Sequence, residues 1–281
     1  MSATVSIGSD ARSAARAAGV EIRPPGSQRE VRELSSVLAR IWAVPDERSP
    51  GPVNVLTALR DTGGYVVGAW HGGHLLGGSF GLTYLDEGQP CLRSQVTGTV
   101  HAGVGIGLAL KLHQRDWAAR TGLVRITWTF DPLVRRNGRF NVHRLGARVV
   151  RYVPDFYGSL DDGMSGTGPT DRAVVSWPVA PVGGGTSARS VARPAVALLA
   201  DLDGAPSLGA FEPDATVISI ATPADVVALR TSAPELADRW AVAMREAMTA
   251  ALAAGFVGVD VDDAGAYRFE GVDGEAGRPG G

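Results

Sequence analysis

The chain of 281 residues has one cysteine, Cys91, and one lysine, Lys111. A single cysteine excludes an intrachain disulfide and a thiolate cluster, and it fits a reducing, cytoplasmic compartment. A passive thiol is the favoured reading of Cys91 over a reactive one. Apart from Lys111, every one of the 27 basic residues is arginine. With the abundance of Ala and Gly, this reads as bacterial base composition. No apolar run reaches the roughly 18 residues of a membrane-spanning helix, so no membrane role is expected. The first 19 residues lack the apolar stretch of a secretory signal, and Asp10 argues against a transit peptide. Small, polar and dotted with arginine, they are expected to form a flexible tail. No internal repeat occurs.

What is present describes a globular protein, 44% hydrophobic and 20% charged. Its length suits one large domain or one and a half small ones. The net charge of −2 hides an asymmetry: residues 101–200 carry 13 basic and 6 acidic side chains, residues 201–281 carry 5 and 14. A basic middle on a near-neutral chain suits a compact anionic ligand better than a nucleic-acid lattice. Basic-aromatic clusters are also lacking, so no nucleic-acid partner is expected.

The segment SQREVRELSSVLARIW sets Val31, Leu34, Leu38 and Ile41 at helical spacing, with Ser27 and Glu30 as a capping box. A short helix over Val53 to Arg60 follows. YVVGAW and HLLGGSFGLTYL then read as a hairpin turning at His71-Gly72-Gly73, and CLRSQVTGTV as a third strand after Asp86-Glu87-Gly88. Beyond a glycine-rich turn come a helix from about Gly105 to Arg120, the strand VRITWTF, a helix over LVRRNGRFNVHRLG, and strands ARVVRYV and DRAVVSWPV. PVGGGTSARSVARP has linker composition. The chain therefore divides into a tail over 1–19, a domain over 20–180, a linker over 181–193 and an α/β extension over 194–281. The extension offers PAVALLA, ATVISI, FVGVDVD and AYRFE as strands. Its long helix repeats Leu236, Trp240, Met244, Met248 and Leu252 every fourth residue, as core rather than as a cofactor box.

Chemistry concentrates in Ala102-Gly103-Val104-Gly105-Ile106-Gly107, between a strand and a helix. Glycines there let the backbone approach a ligand, and successive N–H groups at a helix start suit phosphate oxygens; a tight turn that binds nothing is the alternative. The antiparallel meander before the loop and the missing acidic residue argue against a dinucleotide fold. The phosphate-loop lysine is absent too, because Lys111 lies a full turn into the helix. His71 and His74 lack a third ligand, so no metal is assigned.

This order of elements resembles the GCN5-related N-acetyltransferase (GNAT) superfamily, and VHAGVGIGLALKLHQRDWAARTGLVRITWTF is similar to its acetyl-CoA-binding motif. WTFDPL, RFNVHRLGA, DFYG and TDR together resemble a group of predicted bacterial acetyltransferases with a C-terminal extension. Gly105 and Gly107 fill the motif's glycine positions, while Ala102 stands where a polar residue is usual. The resemblance covers about residues 20–179. It implies a mixed α/β fold, with a mostly antiparallel central sheet flanked by helices and a smaller α/β extension behind it. It also implies acyl transfer from acetyl-CoA, or another acyl-CoA, to a small amine or amino-acid-like acceptor. A backbone N–H near Val96, Thr97 and Gly98 would serve the oxyanion. Gly103, Val104, Gly105, Ile106, Gly107 and Leu108 would hold pyrophosphate, and Asn137, opening the second motif's helix, would also bind the cofactor.

The tyrosine that usually protonates the leaving thiolate is replaced by Val142. His143, Tyr152 and Tyr157 are the substitutes at hand, with an exposed helix histidine as the alternative for His143. Asp131 reads as a base through water, as an ammonium anchor, or as the cap of the helix entered at Pro132. Arg172 either binds a substrate carboxylate or pairs with Asp171 or Asp155. Gln95 and Thr97 either face the acceptor or lie on a solvated strand face. The rival functions are a non-catalytic acyl-CoA-binding or scaffold protein and other acyl-thioester chemistry such as hydrolysis. The acidic rear segment is expected to dock on the basic core, either completing the pocket or pairing two subunits as a homodimer.

Overall fold

The computed structural model describes residues 2–101, 103–158, 170–180, 194–212 and 214–271, with side chains from Gly8 onward. Ala102 and the expected linker therefore lie outside the described residues. Two compact units form, one from residues 1–128 and 178–185, the other from residues 129–177 and 186–281. This differs from the division expected at 181–193, because residues 129–177 pack with the C-terminal segment.

The first unit holds α1 (Ser2–Ala17), β1 (Glu21–Arg23), α2 (Gln28–Ile41), α3 (Val53–Asp61), β2 (Val66–His71), β3 (His74–Asp86), β4 (Gln89–Thr99), α4 (Ile106–Arg120) and most of β5 (Arg125–Phe130). Helix α1 replaces the expected flexible tail. Gly8, Ala11 and Ala15 recur at helical spacing, and this face of small residues lets α1 lie closely on α4. A Cβ at Gly8 would come within 3.0 Å of Asp116 Oδ1. Half of the expected capping box of α2 forms: Ser27 Oγ accepts from Glu30 N at 3.2 Å, but Glu30 Oε2 accepts from Gly26 N at 2.6 Å, one residue before the N-cap. Val31, Leu34 and Leu38 of α2 are buried against Val66, Phe80 and Val96 of the sheet. Strands β1 to β4 pair antiparallel in order, and β5 joins β4 in parallel. Both hairpin turns are where the sequence puts them, with positive φ at Gly72 and Gly73 and again at Glu87 and Gly88.

The second unit holds α5 (Arg135–Gly138), which continues as a π turn over Arg139–Arg144, then β6 (Arg148–Val153), β7 (Arg172–Pro178), β8 (Val196–Leu202), β9 (Ala205–Leu208), β10 (Val217–Ile220), α6 (Val226–Ser232), α7 (Pro234–Ala253), β11 (Phe256–Val261) and β12 (Tyr267–Gly271). Its strands run in the order β7-β6-β11-β12-β10-β8-β9. All neighbours are antiparallel except β8 and β10. The architecture is therefore the mixed, mostly antiparallel sheet with flanking helices that the resemblance implies. Strand β9 was not expected; it is turned out of β8 at Asp203-Gly204, both with positive φ. Asn137 does not open the helix but is its third residue, its N–H bonded to the Val134 carbonyl at 2.8 Å.

The C-terminal segment continues the sheet begun by β6 and β7 through the pairing of β11 with β6. Tyr267, fully buried, donates from its hydroxyl to the Pro132 carbonyl at 2.9 Å, and a Cβ at Gly138 would meet that hydroxyl at 2.5 Å. Trp240, Met244 and Met248 of α7 are fully buried, as the four-residue repeat requires. The ion pairs correct the charge argument in part. Arg139–Asp263 runs in the expected sense, basic middle to acidic rear. The pairs on the best-buried carboxylates run the other way, from Arg230 to Asp131 and from Arg245 to Asp171. Local geometry, not net charge, sets them.

Arg23 donates to Glu30 at 2.8 Å and 3.0 Å. These bonds, with the Gly26 N–H, hold the Glu30 carboxyl down at about 2. Its contribution is therefore complete above about pH 4.3, the unfolded value, and fades as pH falls toward 2. We expect Glu30→Gln to lower stability by about 1–2 kcal/mol at neutral pH. Urea unfolding of the two proteins at pH 7 and at pH 2.5 should show that gap narrowing in acid.

Candidate functional site

Strand β4 contains one residue more than its partner requires. Phe80 of β3 pairs with Val96, and Gly81 pairs with Ser94, so Gln95 is bulged out. In a regular strand Ser94 and Val96 would share a face. Here Val96 packs into the α2 cluster, while Ser94 receives a hydrogen bond from Lys111 of α4. The bulge has turned the strand over. Beside it, β4 and β5 are paired only from Cys91↔Arg125 to Arg93↔Thr127. Beyond that point β4 runs on to Thr99 without β5 on its edge.

This open edge leads directly into the glycine-rich loop. Gly105 caps α4 in the left-handed conformation, φ 83°, with no side-chain cap. A side chain is strained there, and glycine is not. The first intrahelical bond at this end runs from Ala109 N to the Gly105 carbonyl at 3.0 Å. The N–H groups of Ile106, Gly107 and Leu108 thus have no intrahelical acceptor. The first turn has no acidic residue, and Gly103, Val104 and Gly105 are exposed. A Cβ built on Gly103 would meet nothing within 4 Å, and one on Gly105 would meet only Ala18 at 3.7 Å. The arrangement suits an extended ligand carrying an anionic group at one end.

Of the residues expected on β4, Gln95 is exposed at the bulge. Thr97 is turned inward, its hydroxyl 2.7 Å from Ser79 Oγ, so it does not face solvent as a free acceptor contact. Behind them lies a buried polar group that the sequence reading missed. Lys111 Nζ donates to Ser94 Oγ at 2.9 Å and to Gln114 Oε1 at 3.1 Å, and it lies 3.7 Å from the centroid of the Trp128 ring. Gln114 reaches Ser79, which donates to the Val96 carbonyl at 3.0 Å. The signal was Lys111 and Gln114 at i, i+3 beside Leu110, polar residues on the sheet-facing side of an amphipathic helix.

The remaining candidates lie in the second unit. Asp131 has both oxygens engaged: Oδ1 accepts from Leu133 N at 3.0 Å within the turn before α5, and Oδ2 from Arg230 at 2.7 Å. It is not the cap of that helix, whose N-cap is Val134 with no side-chain bond. His143 is half-exposed and bonded through Nδ1 to Asp260 at 2.9 Å, the surface alternative. Tyr152 donates to Asp171 at 2.6 Å, and burial, then this bond, push its hydroxyl far above the usual phenol value. Burial also pushes the Asp171 carboxyl up, but bonds from Arg245 and Tyr152 outweigh it and hold it below the ordinary value. With Asp171 and Asp155 taken by Arg245, Arg172 does not pair with either carboxylate. It donates to the Asp171 carbonyl at 2.8 Å and lies 5.1 Å from the ring centroid of the exposed Tyr157. Tyr157 and Arg172 are thus brought together. Val142 is buried and apolar. Among the described residues no group of three His, Cys, Asp or Glu side chains is placed to hold a metal.

Among solved structures, the chain is similar to the ribosomal-protein-S18-alanine N-acetyltransferase of Escherichia coli, at 14% identity and a TM-score of 0.45 over 59% of this chain and 98% of that one. It is also similar to an N-acetyltransferase of Staphylococcus aureus Mu50, at 12% identity and 0.46 over 57% and 98%. A third is the Salmonella typhimurium protein yncA, solved with acetyl-CoA, at 15% identity and 0.46 over 60% and 98%. No family model and no curated protein matches the chain. At such scores the likeness adds nothing to what the geometry supplies.

Asp131 both closes the turn before α5 and pairs with Arg230, and the two functions separate by substitution. Asp131→Asn keeps an oxygen for Leu133 N and should cost about 1 kcal/mol or less. Asp131→Ala loses both bonds and should cost about 1–3 kcal/mol. Chemical denaturation midpoints of the two variants check this.

Proposed function

We propose that the protein is an acyl-CoA-dependent N-acyltransferase that transfers an acyl group, with acetyl as the first candidate, to a small amine. One observation carries the reading: the bulge at Gln95 stands where β4 and β5 part, and the open edge runs straight into a helix start with free N–H groups. Acyl-CoA supplies the activated acyl group as a thioester. The N–H groups of Gly103 to Leu108 would bind its pyrophosphate, favoured by the helix dipole and by the absence of acidic residues in that turn. The open edge of β4 from Val96 to Gly98 would offer backbone groups to the pantetheine amides and an N–H to the oxyanion. Direct attack of the amine on the thioester then needs only a base and an acid near the sulfur.

A second reading, a non-catalytic acyl-CoA-binding protein, is favoured by one fact: Val142, buried and apolar, stands where the resemblance expects an acid.

Calorimetry against acetyl-CoA is the first test, and no heat of binding at millimolar ligand would end both readings. Gly105→Val should weaken binding at least tenfold, since a β-branched residue cannot hold φ 83° without strain and would crowd the phosphate approach. Steady thiol release with a set of small amines separates the enzyme from the binding protein.

A further inference from the structure

Lys111 is the only lysine of the chain, and it is almost wholly buried. A buried ammonium is costly and is ordinarily paired with a carboxylate. Here its partners are neutral: Ser94 Oγ, Gln114 Oε1 and the face of Trp128. Two of these define its place in the sheet. The β4 and β5 ladder ends at Arg93↔Thr127, and Ser94 and Trp128 are the next residue on each strand. Lys111 Nζ therefore lies at the vertex where the strands part, one residue from the Gln95 bulge.

No other charge accounts for its state. From α4, Gln114 faces it; from β3, Ser79 belongs to the same network through Gln114; from β4 and β5 come Ser94 and Trp128. Arg93 and Arg125 are offset from Ser94 and Trp128 by one and three residues, so by alternation they belong to the opposite face, and Arg125 pairs with Asp86. On α4, Arg115 donates to the Val179 carbonyl and Asp116 accepts from Arg120. The nearby titratable groups are Tyr65 and His113, which approach each other at 3.4 Å. Burial pushes the Tyr65 hydroxyl far up and pulls the His113 imidazole down, so both are held neutral near pH 7. Burial alone pulls the Lys111 ammonium down to about 7. A group with that value exchanges protons at neutral pH with little driving force in either direction.

We infer that Lys111 is the acid that protonates the departing CoA sulfur, doing from α4 what Val142 cannot do. The inference rests on the acyl-CoA reading above. In the step, the acceptor nitrogen forms its bond to the acyl carbon and the carbon–sulfur bond breaks with its electron pair going to sulfur. The Lys111 ammonium gives sulfur a proton, and the resulting amine takes up the proton lost by the acceptor nitrogen. The products are the amide and the free thiol, and Lys111 returns to its starting state.

Because Lys111 is unique, labelling with ¹³C,¹⁵N-lysine yields one side-chain signal from the native protein. That signal should titrate with a midpoint near 7 and shift when CoA is added. Lys111→Met, which keeps the stem, should lower kcat at least about 100-fold with KM for acetyl-CoA changed less than threefold. Lys111→Arg should retain the fold and lack the pH limb near 7, since guanidinium does not release its proton in this range. If acetyl-CoA binds and turns over but the lysine signal ignores CoA, or if Lys111→Met keeps wild-type kcat, this inference falls and the acyltransferase reading stands. If the native protein does not bind acetyl-CoA, both fall. Should Lys111→Met not fold, the signal of the native protein decides.

Discussion

One extra residue in a paired strand cannot be absorbed by the ladder, and the candidate site follows from where the chain puts it. With Gln95 bulged, Ser94 and Val96 face opposite sides of β4. Val96 can then complete the apolar cluster under α2 while Ser94 meets α4. The same irregularity falls one residue past the last pair between β4 and β5, so the strand with a disturbed ladder is also the strand with an open edge. Open edges are ordinarily covered or blunted because unpaired backbone groups invite association. Here the edge is followed by a loop whose glycines, Gly103 and Gly105, are exposed, with further unpaired N–H groups at the start of α4.

Beneath that edge the protein keeps a charge that packing alone would not choose. An apolar residue at position 111 would fill the same space without the desolvation cost of an ammonium. The ring of Trp128 and two neutral oxygens offset part of this cost, and cation–π contact is strongest when desolvated. What remains appears as the lowered proton affinity of the amine. Burial thus produces both the cost and the chemistry.

The second unit solves a different problem. Residues 129–177 supply two strands and a short helix whose apolar faces need partners, and the C-terminal segment supplies them through β11 against β6 and Tyr267 beneath Gly138. Its ion pairs concentrate on Asp131 and Asp171, carboxylates that would be costly to bury without Arg230 and Arg245. The charge totals of the sequence segments pointed to the opposite pairing for these two. Coulomb attraction at contact depends on which side chains share a low-dielectric site, and segment totals do not carry that information.

Much of the local structure was legible because its causes are local. The Ser27 cap of α2, the turns at Gly72-Gly73 and Glu87-Gly88, and the four-residue repeat of Trp240, Met244 and Met248 all act within a few residues of themselves. The glycine loop before α4 was equally legible, since a left-handed helix cap requires a residue like Gly105. Three kinds of feature were not. The face of α1 is made of Gly and Ala, which bury little area and show only when a second helix closes on them. The roles of Asp131, His143 and Arg172 depended on partners 99, 117 and 1 residues away, two of which periodicity cannot reach. The strand inversion at Gln95 came from a register between β3 and β4, and Lys111 became a site only when Ser94 and Trp128 were brought to it. Sequence alone determined where most helices and turns lie, α1 and the β8–β9 turn excepted, and where the glycine-rich loop falls, because those depend on backbone preference and short-range hydrogen bonds. Only the tertiary structure decided which polar groups lose water and which partners meet them, because desolvation is a property of the assembled fold.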